Sequence, residues 1–230
     1  DTRIAKARPF ISAGVALLCD KPVAGNLRDL RQVQQWIAQG ARITGGSSLL
    51  FCRETREWLA QPVSERGTPH TVLCGCGVDE FNYGIHAYAM LSGILGGGVR
   101  SVQHLGHHVQ QRVRVNWNDG RLGVLVIGET ANWLPFYAAI ATERCCYQYQ
   151  ANTAALYRAL LQVALPYLAG EVAEPPLAPD IWLEPELCAL AARQSWLQGG
   201  SEIELATLTA NAPGYDGAAF AEQYRRAKYP

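Results

Sequence analysis

The feature that most constrains this chain is a strand–helix–strand unit at its start. Val15-Ala-Leu-Leu-Cys19 is a continuous apolar run, the pattern of a strand buried on both faces of a parallel sheet. Asn26 then reads as an N-cap, with Asp29 three residues on in a capping-box-like arrangement. Leu27, Leu30, Val33 and Ile37 follow at helical spacing, and Gly40 is the stop. Ala41-Arg-Ile-Thr44 reads as a second short strand, closed by Gly45-Gly46. Strands joined by a helix are parallel neighbours in a right-handed crossover. Two short parallel strands leave bare edges and make no stable sheet by themselves. The unit therefore reads as the last part of a larger parallel sheet whose earlier strands lie outside this sequence. Ile4 to Ala13, before it, reads as a weak helix interrupted by Pro9 and stopped at Gly14.

The period then changes. A helix is expected around Glu54–Gln61 and a strand over His70–Cys76. Gly84–Leu95 reads as a helix ended by Gly96-Gly-Gly98. Val113, Val115 and Trp117 alternate with Arg112, Arg114 and Asn116, Asp119-Gly120 is a strong two-residue hairpin turn, and Leu122–Ile127 is the return strand. Asn152 caps a helix bearing Leu156, Leu160, Val163 and Tyr167, with a kink expected at Pro166 and a stop at Gly170. Residues 171–180 read as a Pro-rich linker. Pro185 sits at the first turn of another helix, ended by Gly199-Gly200, and Glu202–Leu205 is a final strand. The fold class is thus α/β plus α+β: the remnant of a larger parallel sheet over 1–46, then a mixed, mainly antiparallel sheet with helices on one face over 47–205. Residues 206–230 form a tail that carries no reading beyond a dimer face or a strap.

Composition narrows the partners. Lys+Arg and Asp+Glu are 20 each in 230 residues, and 49% of residues are hydrophobic. Such a chain is globular, and it lacks the basic surplus a nucleic-acid or anionic-membrane binder needs. No window reaches the ~18 apolar residues of a membrane span. The start has no basic-then-apolar secretory pattern, so a cytoplasmic chain is expected. The seven cysteines have unrepeated spacings, and Cys74-Gly-Cys76 and Cys145-Cys146 are too close for zinc-ligand pairs. Buried reduced thiols behaving as small hydrophobes are expected.

Two side chains stand out for chemistry. Lys21 is one of only three lysines, and it follows the first apolar strand in Cys19-Asp20-Lys21-Pro22. Ligands of open parallel sheets bind outside the carboxyl ends of the strands. A lysine partly desolvated there can serve in proton transfer; the other reading is a surface lysine paired with Asp20. His86, in Asn82-Tyr83-Gly84-Ile85-His86, stands where a strand region turns into a helix. It is either an acid/base imidazole or a histidine satisfied by local backbone. The cluster His104-Leu-Gly-His107-His108 has no Asp, Glu or Cys close by, so no metal is expected. On a regular strand His104 and His108 would share one face and His107 the other, as sheet-surface histidines. No Gly-x-Gly-x-x-Gly follows a strand anywhere.

These residues resemble the Gfo/Idh/MocA oxidoreductases, the relatives of glucose-fructose oxidoreductase and inositol dehydrogenase. Ala13-Gly14-Val-Ala-Leu-Leu-Cys19-Asp20-Lys21-Pro22-Val-Ala24 is similar to the family's a-G-k-h-V-l-c-E-K-P-l-a segment. Asn82-Tyr-Gly84-Ile-His86 resembles its D-x-G-x-H segment, and Leu91-Ser-Gly-Ile-Leu-Gly-Gly follows as in the family. The Trp117–Val124 hairpin and the helix and strand over Glu186–Leu205 match in order. The resemblance spans roughly residues 5–205.

The resemblance implies that residues 1–46 are the remnant of a Rossmann-like dinucleotide-binding domain and 47–205 the substrate and oligomerisation domain of an NAD(P)-dependent dehydrogenase acting on a sugar, polyol or related hydroxyl or carbonyl. It implies that Lys21 contacts substrate and nicotinamide and polarises or deprotonates the reacting hydroxyl. His86 is implied as the acid/base or its partner, and Asn82 as a substrate contact where the family often has Asp. Asn cannot take a proton as the family's Asp can, so the resemblance does not carry a proton relay over to Asn82, which is left as a catalytic-site hydrogen-bonding group. Asp20, Lys21 and Pro22 are implied on the nicotinamide side, with Asp20 replacing the usual Glu. NAD against NADP is set by residues outside this sequence. The family's nucleotide fingerprint would precede residue 1 by about 80 residues, if each βαβ unit takes ~30 or more. The chain is therefore expected to be a truncated, cleaved or split form. A homodimer or tetramer is expected through the antiparallel sheet, on a face around Val113, Val115, Trp117 and Leu122. The alternative is a non-catalytic interaction or scaffold module derived from the family.

Overall fold

A computed structural model describes residues 2–228. The first helix, α1 (Thr2–Ser12), keeps Pro9 inside it. β1 (Leu17–Asp20), α2 (Leu27–Ala38) and β2 (Ile43–Gly46) follow, and β1 pairs with β2 in parallel, Leu17 opposite Ile43 through Asp20 opposite Gly46. Asn26 caps α2 as expected: its Oδ1 accepts from the Asp29 N–H at 2.9 Å, and its side-chain amide donates to the Asp29 carboxylate at 2.8 Å. Both strands start about two residues later than the apolar runs predict, which carries Gly45 and Gly46 into β2. Gly45 lies so close to β1 that a Cβ there would stand 2.0 Å from the Cys19 carbonyl oxygen.

One expectation for β1 fails. Its residues alternate between half-buried and exposed, and Leu18 is 40% exposed. The strand is buried on one face only, because among the described residues β2 is its sole neighbour and nothing covers the Leu18–Asp20 side.

The seam to the second sheet is interior. Residues 43–52, which include the 3₁₀ turn Ser48–Phe51, are all buried. After α3 (Arg53–Leu59) and α4 (Val63–Arg66), a seven-stranded sheet is built from β3 (Thr71–Gly75), β4 (Val99–His108), β5 (Gln110–Trp117), β6 (Leu122–Ile127), β7 (Tyr137–Ala141), β8 (Cys146–Gln150) and β9 (Ile203–Glu204). The order is β8-β7-β3-β6-β5-β4-β9, with β3 and β6 parallel and every other pair antiparallel. The helices α5 (Gly84–Leu95) and α8 (Glu184–Leu197) pack on one face of it. The remaining helices are α6 (Leu156–Ala169), which ends on a left-handed Gly170, α7 (Pro179–Trp182) and α9 (Gly217–Lys228). α6 lies against β1 and β2, and its C-terminus is tied to β2 by Arg42, whose guanidinium donates to the Tyr167 carbonyl at 2.5 Å.

The helix-covered face carries the core, and it corrects the expected oligomer face. Val113, Val115 and Trp117 are buried under the helices at 0%, 1% and 3% exposure. The face left uncovered is the opposite one, where Leu73 is exposed and Leu122, Val124, Val126 and Arg114 are half-buried, so of the four residues expected on the pairing face Leu122 alone lies there. Alternation was read correctly, but Arg112, Arg114 and Asn116 lie on the open side. The histidine cluster is corrected too. A register shift between His104 and His107, at Gly106, breaks the alternation. His104 is buried and stacked on Trp196 with ring centroids 5.4 Å apart, while His107 and His108 are exposed.

Four cysteines (Cys52, Cys74, Cys76 and Cys188) are buried free thiols in the core, whereas Cys146 is exposed. Among the described residues no group of three or more His, Cys, Asp or Glu is arranged to hold a metal ion, and no helix is long and apolar enough to cross a membrane.

Candidate active site

The carboxyl ends of the two parallel strands converge on the N-terminus of α5. β1 delivers Asp20 and Lys21, and β2 delivers Ser47. A turn before α5 receives them. Asp79 builds that turn: its Oδ1 accepts the N–H groups of Phe81 at 3.1 Å and Tyr83 at 3.2 Å, and its carbonyl accepts Gly84 N–H at 2.9 Å. The turn presents the Asn82 carbonyl oxygen, and Lys21 Nζ donates to it at 2.7 Å. The same ammonium lies 4.5 Å from the centre of the Tyr83 ring. Lys21 is therefore held at two points, and the Lys21–Pro22 peptide is cis.

Burial lowers the Lys21 pKa from its usual 10.5, and Arg3 pushes the same way, against Asp20 and Asp79. Arg3, on α1, donates to the carbonyls of Asp20 and Lys21. Glu186, at the start of α8, lies beneath this turn with its Oε1 accepting the Val23 N–H at 2.9 Å. Its other oxygen is buried without a partner, and burial raises the pKa of this carboxyl to about 7.

Lys21, Asp20, Pro22 and Asn82 line one crevice of about 1260 Å³. His86 does not line it. His86 is buried on α5, with its Nδ1 sharing a 2.6 Å hydrogen bond with Ser47 Oγ and its ring edge-on to Phe136. Burial first, and then the Lys21 charge, depress its pKa to about 3, so it stays neutral over the physiological range. Asn82 enters through its backbone carbonyl, on Lys21, as well as through its place in the lining.

The rest of the lining had no signal in the sequence. Glu80 pairs with Arg193 at 3.3 Å and also accepts from Gln111. Tyr215 stacks on Phe81 with centroids 3.9 Å apart, and Arg193 lies over its ring at 4.7 Å. Only the nearness of Asp79, Glu80 and Phe81 to Asn82 could have pointed to them. Nothing in the spacing ties residue 215 to residue 81.

No family model matches the chain, and no curated protein matches it. Solved structures do. GenD2 from gentamicin A biosynthesis, in complex with NAD, superposes with a TM-score of 0.71 at 15% identity over 88% of this chain and 75% of its own. The scyllo-inositol dehydrogenase of Lactobacillus casei, with NAD(H) and scyllo-inositol, gives 0.71 at 12% identity over 89% and 77%. An inositol dehydrogenase homologue of Azotobacter vinelandii, with NADH and myo-inositol, gives 0.70 at 10% over 88% and 75%. The small parallel sheet and the seven-stranded mixed sheet are thus the fold of these dehydrogenases, as the resemblance to the Gfo/Idh/MocA oxidoreductases predicts.

Proposed function

We propose that this chain carries the substrate-binding and proton-handling part of an NAD(P)-dependent oxidoreductase acting on a hydroxyl of a sugar or polyol. The observation that carries this reading is the placement of Lys21. It is half-buried, has a lowered pKa, is held by Asn82 and Tyr83, and faces a large crevice at the carboxyl end of a parallel strand.

The residues present fit the nicotinamide end of such a cofactor and not its pyrophosphate. Asp20, Lys21 and Pro22 stand at the crevice, but among the described residues no glycine-rich turn links a parallel strand to a helix N-terminus. The α2 N-terminus after β1 is closed by its own Asn26 cap. Phosphate-binding strands would pair along β1, where Leu18 is exposed and the outer edge has no partner among the described residues. When bound, the cofactor supplies the hydride acceptor. Lys21, in its neutral form, takes the proton of the reacting hydroxyl. The Asn82 carbonyl and the Tyr83 ring keep the amine aimed, and the Asn82 amide is a donor and acceptor for a neighbouring hydroxyl. His86 acts as a neutral hydrogen-bonding support through Ser47.

In the enzyme carrying its nucleotide-binding strands, Lys21→Ala should lower kcat by roughly 10²–10⁴-fold with the melting temperature unchanged. Wild-type turnover in that variant would sink the reading. Calorimetry of the 230-residue chain with NADH and NADPH should show no tight binding; micromolar affinity would refute an incomplete nucleotide site. The open sheet face, with Leu73, Val124 and Val126 at its centre, is the surface for pairing with a second copy.

A further inference from the structure

The crevice has a wall that belongs to neither sheet. The segment after residue 208 crosses back over the start of α2 and runs into α9, bringing Tyr215, Asp216, Phe220 and Arg225 into the same lining as Lys21. The crossing is anchored at several points. Tyr215 N–H donates to the Gly25 carbonyl at 2.7 Å, and its hydroxyl reaches the Ala189 carbonyl at 3.4 Å. Its ring lies between Phe81 and the Arg193 guanidinium. The two backbones touch at glycines: a Cβ on Gly214 would stand 2.6 Å from the Gly25 carbonyl oxygen. Asp216 then caps α9, its Oδ1 accepting the N–H groups of Ala218 and Ala219 at 3.0 Å each.

The charges of the crevice are not evenly satisfied. Among its four acids, Glu80 is paired with Arg193, Asp79 and Asp216 each accept two backbone N–H groups, and Asp20 acts electrostatically on Lys21. Among its bases, Lys6 on α1 and Arg225 on α9 have no carboxylate partner among the described residues. Arg225 spends only its Nε, on the Ala221 carbonyl at 3.2 Å, and keeps the rest of its guanidinium for another acceptor. Lys21 adds a third base that no carboxylate contacts directly. The aromatic rings of Tyr83, Tyr157, Phe81 and Phe220 supply flat apolar surface for the C–H faces of a polyol.

We propose that the C-terminal segment is part of the substrate site, and that Arg225 with Lys6 makes the site select a polyhydroxylated substrate bearing an anionic group. This deepens the dehydrogenase reading and rests on the crevice being the substrate site. The shared chemistry is a carboxylate or a phosphate on a sugar-like chain. A guanidinium matches either one bidentately, and an ammonium in the same lining adds a point charge.

Calorimetric titration of the 230-residue chain with sorbitol, D-gluconate and sorbitol 6-phosphate tests this without requiring turnover. At least one of the two anions should bind tenfold or more tightly than sorbitol, and the tighter of them identifies the anionic group. Arg225→Gln should remove most of that preference, weakening the favoured anion by a larger factor than sorbitol, with the melting temperature unchanged, since Arg225 is exposed and packs no core. Added salt should shrink the preference in the same direction. The inference is overturned if neither anion binds tighter than sorbitol, if none of the three binds, or if the preference survives Arg225→Gln. It is also overturned if Arg225→Gln weakens ADP-ribose instead, since the cation would then serve the cofactor. Loss of turnover in Lys21→Ala together with equal affinity for the three polyols would reject this inference and leave the dehydrogenase reading standing.

Discussion

Three buried or half-buried groups at the strand ends respond to pH in different senses. Lys21 works as a base only when neutral. The rate of the proposed oxidation should rise with pH and level off at an inflection below 10.5, because burial lowers the folded pKa. Lys21→Ala should abolish that limb of the pH–rate profile. His86 contributes no limb to the rate near neutral pH, since a pKa of about 3 keeps it neutral there. It does contribute to stability. The unfolded chain binds a proton at this position below 6.5 and the folded chain does not until about 3, so stability falls as pH drops through that window. Glu186 acts oppositely. Its folded carboxyl keeps a proton up to about 7 while the unfolded one loses it above 4.5, so stability falls as pH rises from 4.5 to 7. Each fully coupled group changes stability by at most about 1.4 kcal/mol per pH unit. Urea denaturation of Glu186→Gln should therefore match wild type near pH 5 and exceed it near pH 8. A wild-type alkaline slope retained in that variant would show that Glu186 is ionised in the folded chain. Lys21 was legible because lysine is rare here and this one follows an apolar strand. Glu186 was not, because nothing in a helix-start glutamate tells that Val23 will press its N–H onto it.

The elements fell into two groups by how local their determinants are. α2 was readable from its cap, and Asn26→Ala should cost about 1 kcal/mol in a urea titration, with no change in the site. The β5–β6 hairpin was readable from Asp119-Gly120 and strict alternation, and α5 from its glycine-bounded apolar run. The sign of the alternation was not readable. Which face of β5 is covered depends on where α5 and α8 pack, a tertiary fact, and the face expected outside is the core. β7 is marked only weakly: in Tyr-Ala-Ala-Ile-Ala three alanines dilute the strand preference of Tyr137 and Ile140, and it pairs with β3 only through long-range register. α7 begins in the last two residues of the Pro-rich stretch that reads as linker, with Pro179 at its first turn, and runs past it to Trp182. α9 begins on Gly217 and brings Phe220 to the crevice, and its Ala-rich sequence gives an apolar pattern too thin to read.

At the scale of the whole molecule, the uncovered sheet face sets how copies would meet. If a second copy pairs there, Val124→Asp should lower the sedimenting mass toward that of one chain without lowering the melting temperature of the monomer, because Val124 is only half-buried in a single copy. An unchanged mass would place the contact elsewhere. The two sheets themselves are not beads on a string. One hydrophobic cluster runs from Val33 and Ile43 through Leu50 and Phe51 to Leu160 and Leu183, so the parallel pair is packed against residues more than a hundred positions away in the chain.

The buried stretch over residues 43–52 has a practical reading for anyone handling the protein. A protease needs several residues of accessible, extended backbone, and the seam between the two sheets offers none. Residues 171–174, between α6 and α7, are all exposed and are the place for the first nick. Cutting there would not release a parallel-sheet fragment. α6 would stay clamped on β1 and β2, and the nicked chain should run as one species until it is denatured.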